Sequence, residues 1–280
     1  MIHSSDQLKS QVRKMANGDN KKSLVLIRKY IMERFLERIS VSPYRGNFVI
    51  KGGTLVSSMV GTENRETMDI DTSINGFNLD EDTLKRILLE IANIPMEDGL
   101  TFEITKVKQI MDAFEYPGIR IMMVGMLDKM RTPLKIDVST DDVITPGEIE
   151  YEYPLLFEER TISILSYNLE TLLAEKLETV LSRSVANTRM RDFYDVAILT
   201  SGAYREYDVQ ILREALNATS EKRGTTGLLE RRVSIMEQIQ NDLDLQHLWS
   251  EYQKNYDYAE MFSWEDVIGA VSGLFDLIGY

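Results

Sequence analysis

The chain has 280 residues, 43% hydrophobic and 28% charged, a composition that excludes disorder and fits a globular protein of one or two domains. Its formal charge is −13, so the surface as a whole is no nucleic-acid or membrane footprint, although a local basic patch remains open. There is no cysteine, and His3 and His247 are the only histidines, so disulfides, thiolate zinc sites and cysteine nucleophiles are ruled out and any metal must sit on carboxylates.

The first residues lack the charged-then-apolar pattern of a signal peptide. The apolar run Ile119 to Leu127 is broken by Arg120 and too short to span a bilayer, so the expectation is a cytoplasmic protein with no membrane partner. Met1 to Lys51 holds 11 Lys and Arg against 4 Asp and Glu, a local charge of +7 within an acidic chain. Two helices are predicted there, one from Ser5 toward Gly18 and one from about Ser23 to Ser40. In the second, Leu24, Ile27, Ile31, Phe35 and Ile39 recur at three- and four-residue steps, leaving a basic outer face. That face is either simply solvated or an electrostatic track for RNA.

After Pro43 the period changes. Phe48 to Ile50 reads as a short strand, Gly52-Gly53 as a turn, Thr54 to Met59 as a short helix and Met68 to Ile74 as an alternating strand. Asp80 to Ile94 is helical, followed by β-rich runs at Thr101 to Ile110, Gly118 to Leu127, Leu134 to Thr140 and Arg160 to Leu165. From Asn168 the signals are helical: Asn168 to Ser184, Arg189 to Thr200, Asp208 to Ala218, an interrupted stretch from Gly227 to Tyr252, and Trp264 to Ile278. The fold expected is an α/β (α+β) N-terminal domain with a mixed sheet over residues 1–165, carrying the basic N-terminal helices, and a helical domain over residues 166–280.

The segment Met68-Asp69-Ile70-Asp71-Thr72 carries the most chemistry. Residues two apart on a strand share a face, so two carboxylates stand together and repel unless a cation or solvent screens them, a setting that suits Mg²⁺. Asp137 alternates with apolar neighbours in a strand that can lie beside the first, and three such carboxylates can hold two divalent ions. A half-exposed sheet edge is the bland alternative. Upstream, Lys51-Gly52-Gly53-Thr54 places glycines and a helix N-terminus where a phosphate could approach.

In the helical half, Leu169, Leu172, Leu173, Leu177, Val180 and Leu181 form one apolar arc at 100° per residue, and Lys176 falls inside it. Either its ammonium snorkels to water or it reaches into a cleft to meet a phosphate. Asp192 and Asp195 lie one turn apart in an apolar helix and require partners. For Asp195 a structural Arg-Asp network is the preferred reading.

Strand, Gly-Gly-Thr, helix, then Arg65-x-Thr67-x-Asp69-x-Asp71 resembles the nucleotidyltransferase superfamily related to DNA polymerase β. It departs from that pattern in having Gly53-Thr54 where Gly-Ser is usual and a longer gap before Asp69. Together with Lys-Ile-Asp137-Val, Leu-Leu-Ala-Glu-Lys176-Leu-Glu-Thr and Arg-x-Arg-Asp192-Phe-Tyr-Asp195-Val, the chain is similar to the AbiEii family, nucleotidyltransferase-like toxins of abortive-infection and type IV toxin-antitoxin systems. The resemblance implies a phage-defence toxin that uses Mg²⁺ (or Mn²⁺) to transfer a nucleotide from a nucleoside triphosphate, GTP and CTP included, to RNA, with tRNA as acceptor, so blocking translation. It implies a separate DNA-binding antitoxin that forms no stable complex with the toxin. The catalytic positions it implies are Asp69, Asp71, Lys176 and Asp192, with Asp69, Asp71 and Asp137 for metal and Lys51, Gly53, Thr54, Arg65, Thr67 and Lys176 for the nucleotide. A nucleotidyltransferase acting on a small molecule, and a nucleotide-binding module with a decayed site, are the competing readings.

Overall fold

The computed structural model describes residues 2–76, 80–110, 118–140, 142–202 and 206–280. It divides into two compact units, one of residues 1–62, 66–141 and 149–166 and the other of residues 63–65, 142–148 and 167–280. Among the described residues no helix is long and apolar enough to cross a membrane.

The first unit is built on a seven-stranded mixed sheet. Its strands are β1 (Phe48–Ile50), β2 (Ile70–Ile74), β3 (Leu100–Ile110), β4 (Gly118–Leu127), β5 (Met130–Thr140), β6 (Ile149–Pro154) and β7 (Thr161–Ser166). Across the sheet the order is β3-β4-β5-β2-β1-β7-β6, with β2 parallel to β5 and β1 parallel to β7. Helices α1 (Ser5–Ala16), α2 (Asn20–Ser40), α3 (Gly52–Val60) and α4 (Glu81–Ala92) complete the unit. Their starts follow local chemistry, since Ser4, Asp19 and Asp80 each accept a hydrogen bond from the first turn of α1, α2 and α4.

Strand β4 shows how the sheet acquires two different faces. Ile119, Ile121, Met123 and Leu127 are buried, while Arg120, Met122 and Val124 between them are half-exposed. Gly125 lies on the buried side beneath α2, where an added Cβ would come within 2.3 Å of Ile31 Cγ2, so only glycine permits that approach. Strand β5 repeats the pattern, with Leu134, Ile136 and Val138 buried and Lys135 and Asp137 facing the other way.

Helix α2 departs from expectation. It is surrounded by α1, α4, β5 and β7, and the expected basic outer face is reduced to its first turns, at Lys21, Lys22 and Arg28. Lys29, Arg34 and Arg38 are buried, whereas Leu24, expected on the apolar arc, is 66% exposed. Arg38 donates to both carboxylate oxygens of Asp98 at 2.7 and 2.9 Å and lies 4.9 Å from the centroid of the Phe102 ring. Arg34 pairs with Glu37 at 2.7 Å and Glu158 at 3.1 Å. Buried charges persist only when paired in this way, and two of these pairs, Arg38–Asp98 and Arg34–Glu158, join residues distant in sequence to α2. The exposed basic residues in this region are Lys9, Arg13, Lys14 and Lys21, with Lys22 and Arg28 half-exposed.

The second unit is helical apart from its two short leading segments: α5 (Leu169–Arg183), α6 (Met190–Thr200), α7 (Val209–Arg223), α8 (Thr226–Glu230), α9 (Arg232–Asn241), α10 (Leu243–Asn255) and α11 (Trp264–Leu277). Asn168, Asp208, Asp242 and Ser263 cap α5, α7, α10 and α11, the last in a full capping box with Asp266. The expected apolar arc of α5 is buried at Leu172, Leu173, Leu177, Val180 and Leu181, against α6 and α7. Tyr194, Trp249, Tyr252, Tyr258, Phe262 and Trp264 form an aromatic cluster with ring centroids 5.0 to 6.4 Å apart.

Candidate active site

Strand pairing brings the acidic residues together. In the parallel β2–β5 ladder Asp71 stands opposite Asp137, and in the antiparallel β4–β5 ladder Asp137 stands opposite Arg120. Asp69 immediately precedes β2, and Lys135, two residues before Asp137, shares its face of β5. Arg120 donates to both oxygens of Asp137, Nε at 2.7 Å and Nη2 at 2.8 Å. Lys135 Nζ meets the Asp69 carboxylate and lies 3.5 Å from Asp137 Oδ2.

The two glycines, expected as a turn before the helix, are the first residues of α3 and hold this face in place. Gly52 adopts φ +56°, and a Cβ there would lie 2.7 Å from Asp71 Oδ2, so the carboxylate occupies the space that a side chain would need. Oδ2 of Asp71 accepts the backbone N–H of Gly53 at 2.9 Å, which places a carboxylate at the start of α3. Burial, with Asp69 and Asp137 adding to it, pushes the Asp71 carboxyl up to about 6 against the pull of Lys51 and the Gly53 amide.

Thr54 was expected to touch a nucleotide. It is fully buried instead: its hydroxyl donates to the Asp69 carbonyl at 2.7 Å and accepts the Asp71 N–H at 3.1 Å. It therefore fixes the backbone that carries both acids. Thr67, also buried, donates to the same Asp69 carbonyl at 3.3 Å. Lys51 is the N-cap residue of α3, its backbone N–H donating to the Asp71 carbonyl at 3.0 Å.

Three other expected residues meet in the second unit. Arg65, expected at the nucleotide, stands in a buried pair: Nε donates to Asp195 Oδ1 at 2.6 Å and Nη2 to Oδ2 at 3.2 Å. Lys176 Nζ lies 2.6 Å from Asp195 Oδ2 and 3.1 Å from Asp192 Oδ1. Lys176 is 7% exposed, so it does not snorkel. Burial alone would lower its pKa, but Asp195 and Asp192 outweigh that and hold it above the ordinary lysine value. Burial likewise opposes ionisation of Asp195, yet Arg65 and Lys176 hold its carboxyl below the usual range. Asp195 thus sits in an Arg-Asp network, and its arginine is Arg65, which the motif had assigned to the nucleotide.

The donor set on β2 and β5 is all oxygen, as Mg²⁺ or Mn²⁺ requires, and Mg²⁺ takes one or two carboxylates with water and phosphate completing its shell. Asp69 and Asp71 fit, because Asp71 carries negative charge that its neighbours do not fully offset. Asp137 is held by Arg120 and Lys135, and among the described residues no group of three acidic or histidine side chains is arranged around one ion. Arg120 and Lys135 escaped the sequence reading. Their signal was a charge at an alternating position in each of two apolar strands.

No curated protein matches the sequence. Among solved structures, the chain is similar to MenT4, a nucleotidyltransferase toxin from Mycobacterium tuberculosis, at 14% identity and a TM-score of 0.58, with 96% of this chain and 98% of that one covered. JHP933 from Helicobacter pylori, at 17% identity and a TM-score of 0.48, covers 91% of each chain. The first of these likenesses extends the nucleotidyltransferase fold over nearly the whole chain. The profile described as "Nucleotidyl transferase AbiEii toxin, Type IV TA system" matches residues 34–269, a span that takes in the Gly-Gly-Thr turn, both carboxylate strands and the Lys176–Asp192 pair, and the chain belongs to that family of nucleotidyltransferase toxins.

Proposed function

We propose that this nucleotidyltransferase moves a nucleoside monophosphate from a triphosphate to an RNA acceptor, tRNA in particular, and so blocks translation in the cytoplasm. The observation that supports the reading best is the paired placement of Asp69 and Asp71 beside the glycine-led N-terminus of α3, held by Thr54 and the Gly53 amide. Asp69 and Asp71 would hold Mg²⁺ or Mn²⁺, which when bound neutralises charge on a triphosphate and its leaving pyrophosphate. Gly52 allows the close approach of Asp71 to the turn, while Thr54 and Thr67 fix the Asp69 carbonyl. Lys176 and Asp192 belong to the reading through the family's motifs, supported by the two carboxylates that keep Lys176 protonated. The antitoxin would be a separate DNA-binding protein without a stable complex, in keeping with the type IV description and a role in abortive infection.

The test incubates the protein with each of four α-labelled triphosphates, Mg²⁺ and total RNA. Label on a tRNA-sized species with one of the four supports the proposal. Label on the protein alone, on small molecules alone, or nowhere overturns the RNA acceptor.

A further inference from the structure

The face that carries Asp69 and Asp71 also carries two cations fixed by strand register. Asp71, Asp137 and Arg120 stand side by side in one row across β2, β5 and β4. Lys135 of β5 lies opposite Met122 of β4 and turns its ammonium toward Asp69 on one side and Asp137 on the other. It therefore occupies the point that Asp69 and Asp137 share, where an ion bridging those two carboxylates would have to sit. An ion placed there would meet a like charge at contact distance and would also compete with the two-pronged grip of Arg120 on Asp137. Charge count points the same way. Three carboxylates against Lys135 and Arg120 leave a single uncompensated negative charge, and Lys51 adds a further cation that acts on Asp71. One divalent ion already reverses the sign of this face, and a second only adds repulsion.

We infer that this site takes one divalent ion, on Asp69 and Asp71, and that Lys135 supplies in fixed form the positive charge that a second ion would bring. The inference rests on the reading of Asp69 and Asp71 as metal ligands. A side-chain ammonium cannot be chelated away or leave with pyrophosphate, so part of the charge in the site is independent of free metal concentration. Lys135 is a positioning residue in this account, acting through the two carboxylates that it holds.

The experiment counts Mn²⁺ per full-length chain by electron paramagnetic resonance titration, with Mn²⁺ alone as the probe. It compares the wild type with Lys135→Met, Lys135→Arg and Asp71→Asn, and each variant's melting temperature is recorded. The wild type and Lys135→Arg should bind one ion and Asp71→Asn none. Lys135→Met should gain a second ion or bind the first about tenfold more tightly. If Lys135→Met fails to fold, Lys135→Gln takes its place. Two ions in the wild type, or a Lys135→Met titration that superimposes on the wild type, overturns the one-ion inference while leaving the Asp69 and Asp71 reading intact. No bound ion in any folded variant overturns both.

Discussion

Two clusters of acids and bases lie in this chain, and they solve opposite problems. Around Asp195 the charges are balanced and buried: Arg65, Lys176, Asp192 and Asp195 expose between 0% and 9% of their side chains, and every charge there faces an opposite one. On the β2–β5 face the side chains of Asp69, Lys135, Asp137 and Arg120 expose 23% to 30%, and acids outnumber these cations once Asp71 is included. A balanced buried network costs desolvation and contributes fixed geometry. A half-open face on which three carboxylates crowd together is less settled by itself and can be completed by a cation from solution. A charge cluster is therefore best judged by its balance and exposure together.

The comparison is most sharply tested by isosteric neutralisation on each side. Asp69→Asn or Asp71→Asn should abolish nucleotide transfer while the melting temperature holds or rises, because each removes one of several crowded charges and keeps the acceptor shape. Transfer at near wild-type rate in either variant would place the chemistry elsewhere. Asp195→Asn should do the reverse at the level of folding. It leaves Arg65 and Lys176 buried without their shared counter-charge, with an expected loss of about 3–5 kcal/mol in chemical denaturation. Lys176→Met should cost less stability than Asp195→Asn, since Asp195 keeps Arg65, and in the proposed reading it should also lose transfer.

A buried acid outside both clusters tests the rule that buried charge must be matched. Glu33 is fully buried on α2, with Oε2 accepting the Leu156 N–H at 2.9 Å. Burial pushes its carboxyl up to about 7, against the opposing pull of Lys29 and the Leu156 amide. The folded chain therefore holds this proton more tightly than the unfolded chain, so stability falls as pH rises from the ordinary glutamate value through about 7. Glu33→Gln should remove that slope and raise stability above pH 7 by about 3 kcal/mol. Denaturant titrations of both proteins at pH 5 and pH 8 give the comparison directly, and equal pH slopes would refute it. The smallest effect concerns the exposed cations of α1. Reversing Lys9, Arg13 and Lys14 to Glu should weaken RNA binding modestly and flatten its log–log salt dependence by about 2, with stability unchanged.

Much of the fold was legible because periodicity reports what each face of an element meets. The alternation of β4 gave its bounds, and the leucine arc of α5 set Lys176 among apolar neighbours while leaving open whether its ammonium reaches water. Helix α2 misled for a definite reason: the charges that enclose Arg34 and Arg38, namely Asp98 and Glu158, lie far along the chain, and no local pattern signals such a partner. Strand β6 was not foreseen because its edge position leaves Glu150 and Glu152 exposed, which reads as loop composition. In the site, Asp69 and Asp71 were visible two residues apart, with Asp71 on the strand, but the pairing of Asp137 with Arg120 depends on strand register, which only pairing reveals. Thr54 and Arg65 were assigned to a ligand because motif position conveys nearness to a site without saying which way a side chain points.

Gly52 carries a consequence for genetics. The Asp71 carboxylate fills the volume where any Cβ at position 52 would lie, and the backbone there is left-handed at φ +56°. Every missense change reachable from a glycine codon by one base introduces a Cβ, from alanine upward. In a culture forced to express this toxin, surviving cells should therefore include lesions at codon 52 of every chemical kind, alanine among them. Codon 46, whose glycine has nothing within 4 Å of an added Cβ and no left-handed backbone, should be represented almost entirely by frameshifts and stops.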